Sequence, residues 1–404
     1  MPRRKASHSP SRRPRRRADD PRIPQIDPHG RRDPQIDAAL VDTLEGRIDA
    51  ALIETLEVPP HVGGPPASSP PRDSPRIDAA LSRPILDESS EALIIRLQDL
   101  RAPACFIRLL HWILHVAPVR QHVTHAEYFA GGKEVTAAHA RAGHVAASFE
   151  LLDGDDESQN MLSNIGFVNA CRMSCSVIDA GAATSAPVCS SFVFMNSAVA
   201  KRCHGFPLGD VEVPSVAAAN IMVARVLLLH WIFMSRMIFC VLEQPSSSWM
   251  QYHVQFQDLL GNFALWRHSI CMKDFEAPSL KPSWLYSSHS YISHVDRFHG
   301  TMVAEPVTLA QTCIDAKTGK KCVNGTKDLK ASQAYTRQFA WALLQAYRQN
   351  KANILEVAHA VRSRTLDELR EKGPRELQDI DMACSWWKAA RLDMVFAYLK
   401  VPPA

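Results

Sequence analysis

Gly131 and Gly132 follow directly on the apolar stretch "EYFA", and Glu150 closes a second apolar stretch one helix later. A glycine pair after a strand lets the backbone turn tightly and approach a ligand with no Cβ in the way. A carboxylate at the end of the next strand accepts two hydrogen bonds from the ribose hydroxyls of an adenosine-containing cofactor. After Gly132 the next glycine is Gly143, so the G-x-G-x-x-G turn that cradles a pyrophosphate is absent. The pattern favours a cofactor without phosphates over a dinucleotide. The alternative is an ordinary turn between a strand and a helix.

Such residues act only where strands end, and the chain supplies the strands. "SSEALIIRLQDLRAPACFIRLLHWILH" reads as a helix broken near Pro103. A strand into "AEYFA", a helix "KEVTAAHARAG", a strand "HVAASFE", a helix near 159–173 and a strand ending near "APVCSS" follow. A loop runs to about 213 and leads into the apolar stretch "VARVLLLHWIFMSRMIFCVLEQP". Arg225, His230 and Arg236 interrupt it, leaving a run short of the ~20 residues a membrane span needs. It divides better into a buried helix to about Ser235 and a strand "MIFCVLE" ending at Glu243, so no membrane partner is expected. "WRHSICMK" and "KPSWLYSS" read as an antiparallel edge pair. Strand–helix alternation predicts an α/β protein with a doubly wound sheet, helices on both faces, and ligands beyond the carboxyl ends of the strands.

"EYFAGGKEVTAAHARAGHVAASFE" resembles the first two motifs of the S-adenosylmethionine-dependent DNA cytosine-5 methyltransferases. The matching positions are Glu127, Tyr128, Phe129, Gly131, Ala142, Gly143 and Glu150, with 21 residues from Phe129 to Glu150. "APVCSSF" falls where that family places its catalytic Pro-Cys loop, Cys189 lying 39 residues after Glu150, and "VLEQP" resembles its Glu-Asn segment. The likeness spans about residues 123–290. Val188-Cys189-Ser190 replaces Pro-Cys-Gln, with Pro187 one place early, and Glu243-Gln244 replaces Glu-Asn. The sequence shows neither the family's Gln-x-Arg-x-Arg segment nor a large target-recognition region.

The resemblance implies a Rossmann-like methyltransferase sheet, with S-adenosylmethionine held by Phe129, Gly131, Gly132 and Glu150. It also implies methyl transfer to DNA cytosine. Cytosine C5 is a weak nucleophile alone, so a thiolate must add to C6 while an acid or hydrogen bond steadies N3. Cys189 and Glu243 take those roles. A reading from a different class is a catalytically inactive methyltransferase-fold module that binds or scaffolds beside nucleic acid. Cys189 is then a small buried residue in a serine-rich turn, and Glu243 caps the helix that begins at "PSSSWM".

The flanks read differently from the body. Residues 1–17 carry eight Lys or Arg and no acid, while the whole chain is formally +4, so the remainder is net acidic by four. A run such as "RRPRRR" fits a nuclear import signal or a nucleic-acid-binding arm, an organelle transit peptide, or a solvated leader. A nuclear location is expected, with an organelle or the cytoplasm as alternatives. "PQIDAALVDTLE", "GRIDAALIETLE" and "PRIDAALSRPILDE" repeat a two-turn amphipathic pattern between Pro-rich spacers, which marks residues 1–88 as a disordered arm. Residues 89–300 form the expected α/β domain and 301–404 a helical extension.

Helices are expected near 352–371 and 375–398, with Tyr335 and Phe339 packing rather than touching ligand. Trp386, Trp387, Leu392, Val395, Phe396 and Leu399 spread around the last helix, which should dock on the body or on a protein partner. The ten cysteines form no C-x-x-C knuckle, so no structural metal is expected, and with no apolar leader the thiols should be reduced. His289, His294 and His299 recur every five residues, which matches no familiar metal-hydrolase pattern.

Overall fold

A computed structural model describes residues 86–401 apart from 154–156, 302–304, 315–320 and 327–331. The arm expected over residues 1–88, with its basic run and its repeats, lies outside the described residues as far as position 85. Helix α1 (Glu88–Asp99) starts where Asp87 accepts the Ser90 N–H at 2.7 Å. The chain breaks at Pro103, which has no N–H to continue a helix, and resumes as α2 (Ala104–Val116).

The sheet has six strands in the order β2-β1-β3-β4-β6-β5. These are β1 (Val123–Tyr128), β2 (Ala146–Phe149), β3 (Val177–Ser185), β4 (Phe239–Pro245), β5 (Trp266–Cys271) and β6 (Pro282–Ser287). The β2-β1-β3-β4 half is parallel, and β6 runs antiparallel to both β4 and β5. The protein is therefore α/β with a mixed sheet flanked by helices. The expected antiparallel pair is present, but only β5 lies at the edge.

Side chains alternate across the sheet and feed two cores. Ala126, Tyr128, Cys240 and Leu242 pack with α2, α4 (Asn164–Ser176) and α6 (Pro214–Ser235). Ala182, Phe239 and Val241 pack with α3 (Glu134–Arg141) and α8 (Arg337–Lys372). The one-turn helix α5 (Ser197–Ala200) lies in the loop before α6, and α7 (Val254–Asn262) precedes β5. Helix α6 is long and apolar enough to cross a membrane, yet nearly all of it is buried inside this fold.

The C-terminal part departs from expectation. Helix α8 is one continuous 36-residue helix, capped by Thr336 and ended by Gly373 at φ +72°. The last predicted helix is two short ones, α9 (Ser385–Ala389) and α10 (Leu392–Tyr398). Arg391 adopts a left-handed φ of +50° between them. That break turns Trp386 on one helix and Leu392, Val395 and Phe396 on the other into the core shared by α2, α4 and α6. Strands β7 (Ala310–Ile314) and β8 (Lys321–Gly325) form a separate antiparallel pair.

Candidate active site

Strand order reverses between β1 and β3: the chain passes from β1 to β2 on one side, then to β3 and β4 on the other. In an open α/β sheet the crevice at such a switch, beyond the carboxyl ends, is where ligands bind. Phe129–Gly132 leave β1 there, Glu150 leaves β2, Cys189 follows β3, and Glu243 lies two residues before the end of β4. Three strand spacings of about 4.8 Å set the β2 and β4 ends about 14 Å apart.

The β1 turn is conformationally expensive. Phe129 sits at φ +59° and Lys133 at +55°, both non-glycine residues in left-handed geometry, with Gly131 at +48°. Each non-glycine residue held there costs about 1–2 kcal/mol. A Cβ added at Gly131 meets nothing within 4 Å, so this turn borders open space. The Glu150 carboxylate accepts the Gly131 N–H at 2.8 Å and the Leu152 N–H at 3.3 Å, joining the two strand ends. Lys133 pairs with Asp153 at 2.5 Å across the same gap. Leu151 and Leu152, just past the acid, are exposed, Leu152 at 87 %.

Behind the turn, Glu127 is 1 % exposed, and its Oε2 accepts the Thr136 N–H at 2.7 Å and the Thr136 hydroxyl at 2.6 Å. Thr136 lies in the first turn of α3, where the helix N-terminus favours a carboxylate. Oε1 of Glu127 is buried without a hydrogen-bond partner. Burial raises the Glu127 pKa, against the Thr136 hydrogen bonds.

On the other side of the switch, Glu243 is 4 % exposed and fully engaged. Its Oε1 accepts the Ser283 hydroxyl at 2.6 Å and lies 3.6 Å from the Lys281 ammonium; its Oε2 accepts the Tyr335 hydroxyl at 3.3 Å. Glu243 therefore does not cap the following turn, which Ser248 caps instead by accepting the Met250 N–H. Tyr335 does more than pack: burial, then the charges of Glu243 and Glu127, push its hydroxyl well above the usual phenol range. Phe339 packs as expected, edge-on to Tyr335 and Phe275.

Cys189 is half-buried, and its carbonyl accepts the N–H groups of Phe192 and Val193, closing a one-turn helix. The turn is held from two sides. Gln244 donates from Nε2 to the Pro187 carbonyl at 2.9 Å. Arg202, almost wholly buried, donates to the Ser191 carbonyl at 2.9 Å and stacks over Phe192 at 3.8 Å. Burial, then the Glu243 charge, push the Cys189 thiol up to about 11, while Lys281 opposes them.

The structure brings Gly131 to Glu150 and sets Cys189 within electrostatic reach of Glu243. Sequence reasoning missed Thr136, Arg202, Lys281, Ser283 and the role of Tyr335. Only their chemistry near a strand end could have pointed to them, and none belongs to a local motif. Among the described residues no group of three or more His, Cys, Asp or Glu is arranged to hold a metal ion. The histidines of "HSYISHVDRFH" lie along a 3₁₀ segment, Ser290–Phe298, and at its borders, with His294 bonded to Asn350. Comparison with family models, curated proteins and solved structures finds no match.

Proposed function

We propose that this chain binds S-adenosylmethionine at the carboxyl edge of the sheet and methylates a pyrimidine base of nucleic acid, with Cys189 as nucleophile. The observation that carries the reading is convergence at one switch point: the strained Phe129–Gly132 turn bonded to Glu150, next to the Cys189–Glu243–Lys281–Tyr335 cluster. The cofactor fits the residues present. Gly131 and Gly132 leave room for a ligand against the backbone, Glu150 offers carboxylate acceptors for ribose hydroxyls, and exposed Leu151 and Leu152 offer an apolar surface for a purine. When bound, this cofactor supplies a methyl group on a sulfonium centre. A Rossmann-like methyltransferase sheet agrees with the parallel half and its switch point.

In this reading Lys281 draws the Cys189 proton equilibrium toward thiolate, and Glu243, held by Ser283 and Tyr335, faces the ring nitrogen of the base. The thiol at about 11 leaves about one molecule in ten thousand ionised at pH 7. An active enzyme must therefore offset both the burial and the Glu243 charge when substrate enters, with Glu243 taking up a proton and donating it in a hydrogen bond to cytosine N3.

The same thiol favours a second reading, a methyltransferase-fold binding module without turnover. Calorimetric titration of the protein with S-adenosylmethionine tests the cofactor. Glu150→Ala removes charge-assisted hydrogen bonds of about 1.5–3 kcal/mol each, so affinity should fall about tenfold or more. No binding at millimolar ligand defeats the enzyme reading. Incubation with S-adenosylmethionine and DNA containing 5-fluorocytosine then separates them, because fluorine at C5 blocks the elimination that frees the enzyme. A covalent adduct absent in Cys189→Ala supports the enzyme, and cofactor binding without adduct leaves the module.

A further inference from the structure

Cys105 and Cys384 lie 279 positions apart in sequence, yet their Sγ atoms are 3.5 Å apart. Cys105 is in the first turn of α2 and wholly buried in the larger core. Cys384 is half-buried directly before α9, between the exposed residues Asp381–Ala383 and Ser385. Cys105 is closed off by the core, while Cys384 keeps partial exposure.

We propose that Cys105 and Cys384 are a modification site that hydroperoxides oxidise to an intramolecular disulfide, clamping the C-terminal segment onto the body. A disulfide sulfur–sulfur bond is about 2.05 Å, so the atoms must approach by about 1.5 Å. The side able to move is Cys384: residues 374–381 lie in no helix or strand, whereas Cys105 is fixed within α2.

The order of steps follows from exposure. Burial, then Cys384, hold the Cys105 thiol far above the ordinary range, so Cys384 reacts first. Its thiolate attacks one peroxide oxygen and breaks the O–O bond; the departing oxygen takes a proton and leaves as water or an alcohol. The resulting Cys384 sulfenic acid is attacked at sulfur by Cys105, which gives up its proton as the sulfenic hydroxyl leaves as water. The sulfur pair loses two electrons and the peroxide gains them.

The segment fastened this way is otherwise held by side-chain contacts. Gln98 donates to the Glu376 carbonyl at 2.9 Å, Trp386 Nε1 to Asp258 at 2.5 Å, and Arg225 Nε to the Ala390 carbonyl at 3.0 Å. A cross-link closing so long a loop constrains the unfolded chain strongly, with an expected rise in melting temperature of roughly 5–10 °C.

The test treats the full chain with hydrogen peroxide, blocks remaining thiols with N-ethylmaleimide, and maps tryptic peptides without reduction. "APACFIR" contains only Cys105 and "ELQDIDMACSWWK" only Cys384, so their cross-linked product is unambiguous. The expected result is that product as the main oxidised species, reversed by dithiothreitol. The melting temperature should rise in wild type and in Cys203→Ser, but not in Cys384→Ser. Cys105→Ala, which leaves the half-buried Cys384 thiol intact, should accumulate sulfenic acid at Cys384 and form no cross-link. Both peptides recovered fully alkylated while the exposed Cys203 oxidises would overturn the proposal, as would a cross-link that leaves the melting temperature unchanged.

Discussion

Tyr335 reaches from just before α8 to Glu243 at the end of β4, its hydroxyl donating to Oε2 at 3.3 Å while Lys281 stands 3.6 Å from Oε1. Cys189 feels both charges, in opposite senses: Glu243 raises its pKa and Lys281 lowers it. The rate of Cys189 alkylation followed against pH should therefore move in two directions. Glu243→Gln should shift its midpoint down and Lys281→Met should shift it up, both relative to wild type. Peptide mapping assigns the labelled thiol. Coincident midpoints in all three proteins would remove Cys189 from the cluster.

Arg225 shows how the C-terminal segment is tied to the rest of the fold. Its guanidinium donates to the carbonyls of Met161, Leu162 and Ser163 at 2.8–3.0 Å and to that of Ala390 at 3.0 Å. Arg225→Met keeps the apolar stem but leaves the Met161, Leu162 and Ala390 carbonyls without these donors, while that of Ser163 keeps the Phe167 N–H. The expected loss is about 3 kcal/mol or more, because each unsatisfied buried group costs about 1–3 kcal/mol. Urea unfolding measures it, and limited proteolysis should cut first between Gly373 and Cys384. A loss below about 1 kcal/mol would mean that water replaces the guanidinium.

The glycine turn, Glu150, Cys189 and Glu243 were legible because each is set by local pattern: an apolar strand, its end, and the residue just beyond. The partners those residues meet in the fold were not. Lys281 precedes β6, and Arg202 sits in a loop where an arginine ordinarily reads as a solvated charge. Only the pairing of β4 with β6, Glu243 opposite Leu285, brings Ser283 and Lys281 to the carboxylate. Helix α8 begins well before the helix expected near 352–371 and runs through "QNKAN". In the fold Asn350 is buried, donating to the Ala346 carbonyl at 2.7 Å within the continuous helix. The break at Arg391 was legible only indirectly, in apolar residues spread too widely for one helical face.

Glu127 offers a stability test with a defined sign. Its folded pKa lies above the unfolded value, mainly through burial, so the folded state holds the proton more tightly. Stability present below the unfolded carboxyl pKa is then lost as pH rises through the folded one. Glu127→Gln cannot ionise, and its carbonyl oxygen can still accept both Thr136 bonds. It should be more stable than wild type at pH 7 and equal to it near pH 4, as read from urea midpoints. A variant less stable at pH 7 would show that the charged form is the one the fold stabilises.

The buried histidines carry the opposite pH dependence. His125, His230 and His253 are each pushed down to about 3, in every case mainly by burial. They stay neutral in the folded protein while the unfolded chain takes up protons below about 6.5. Stability from these groups is complete above that pH and falls as pH drops toward about 3. Each contributes a slope of about 1.4 kcal/mol per pH unit across that window. His253 isolates one share: it is fully buried, packs edge-on to Phe192, and neither ring nitrogen has a hydrogen-bond partner. His253→Leu should gain about 1 kcal/mol at pH 7 by removing unpaired polar atoms. The gain should widen by about 1.4 kcal/mol for each pH unit below 6.5, because leucine takes up no proton in the unfolded chain. Urea unfolding of both proteins at pH 7, 6 and 5 measures the two slopes. Parallel slopes would mean that His253 is protonated in the folded protein, which requires water to reach the ring beside Phe192 and the Cys189 turn.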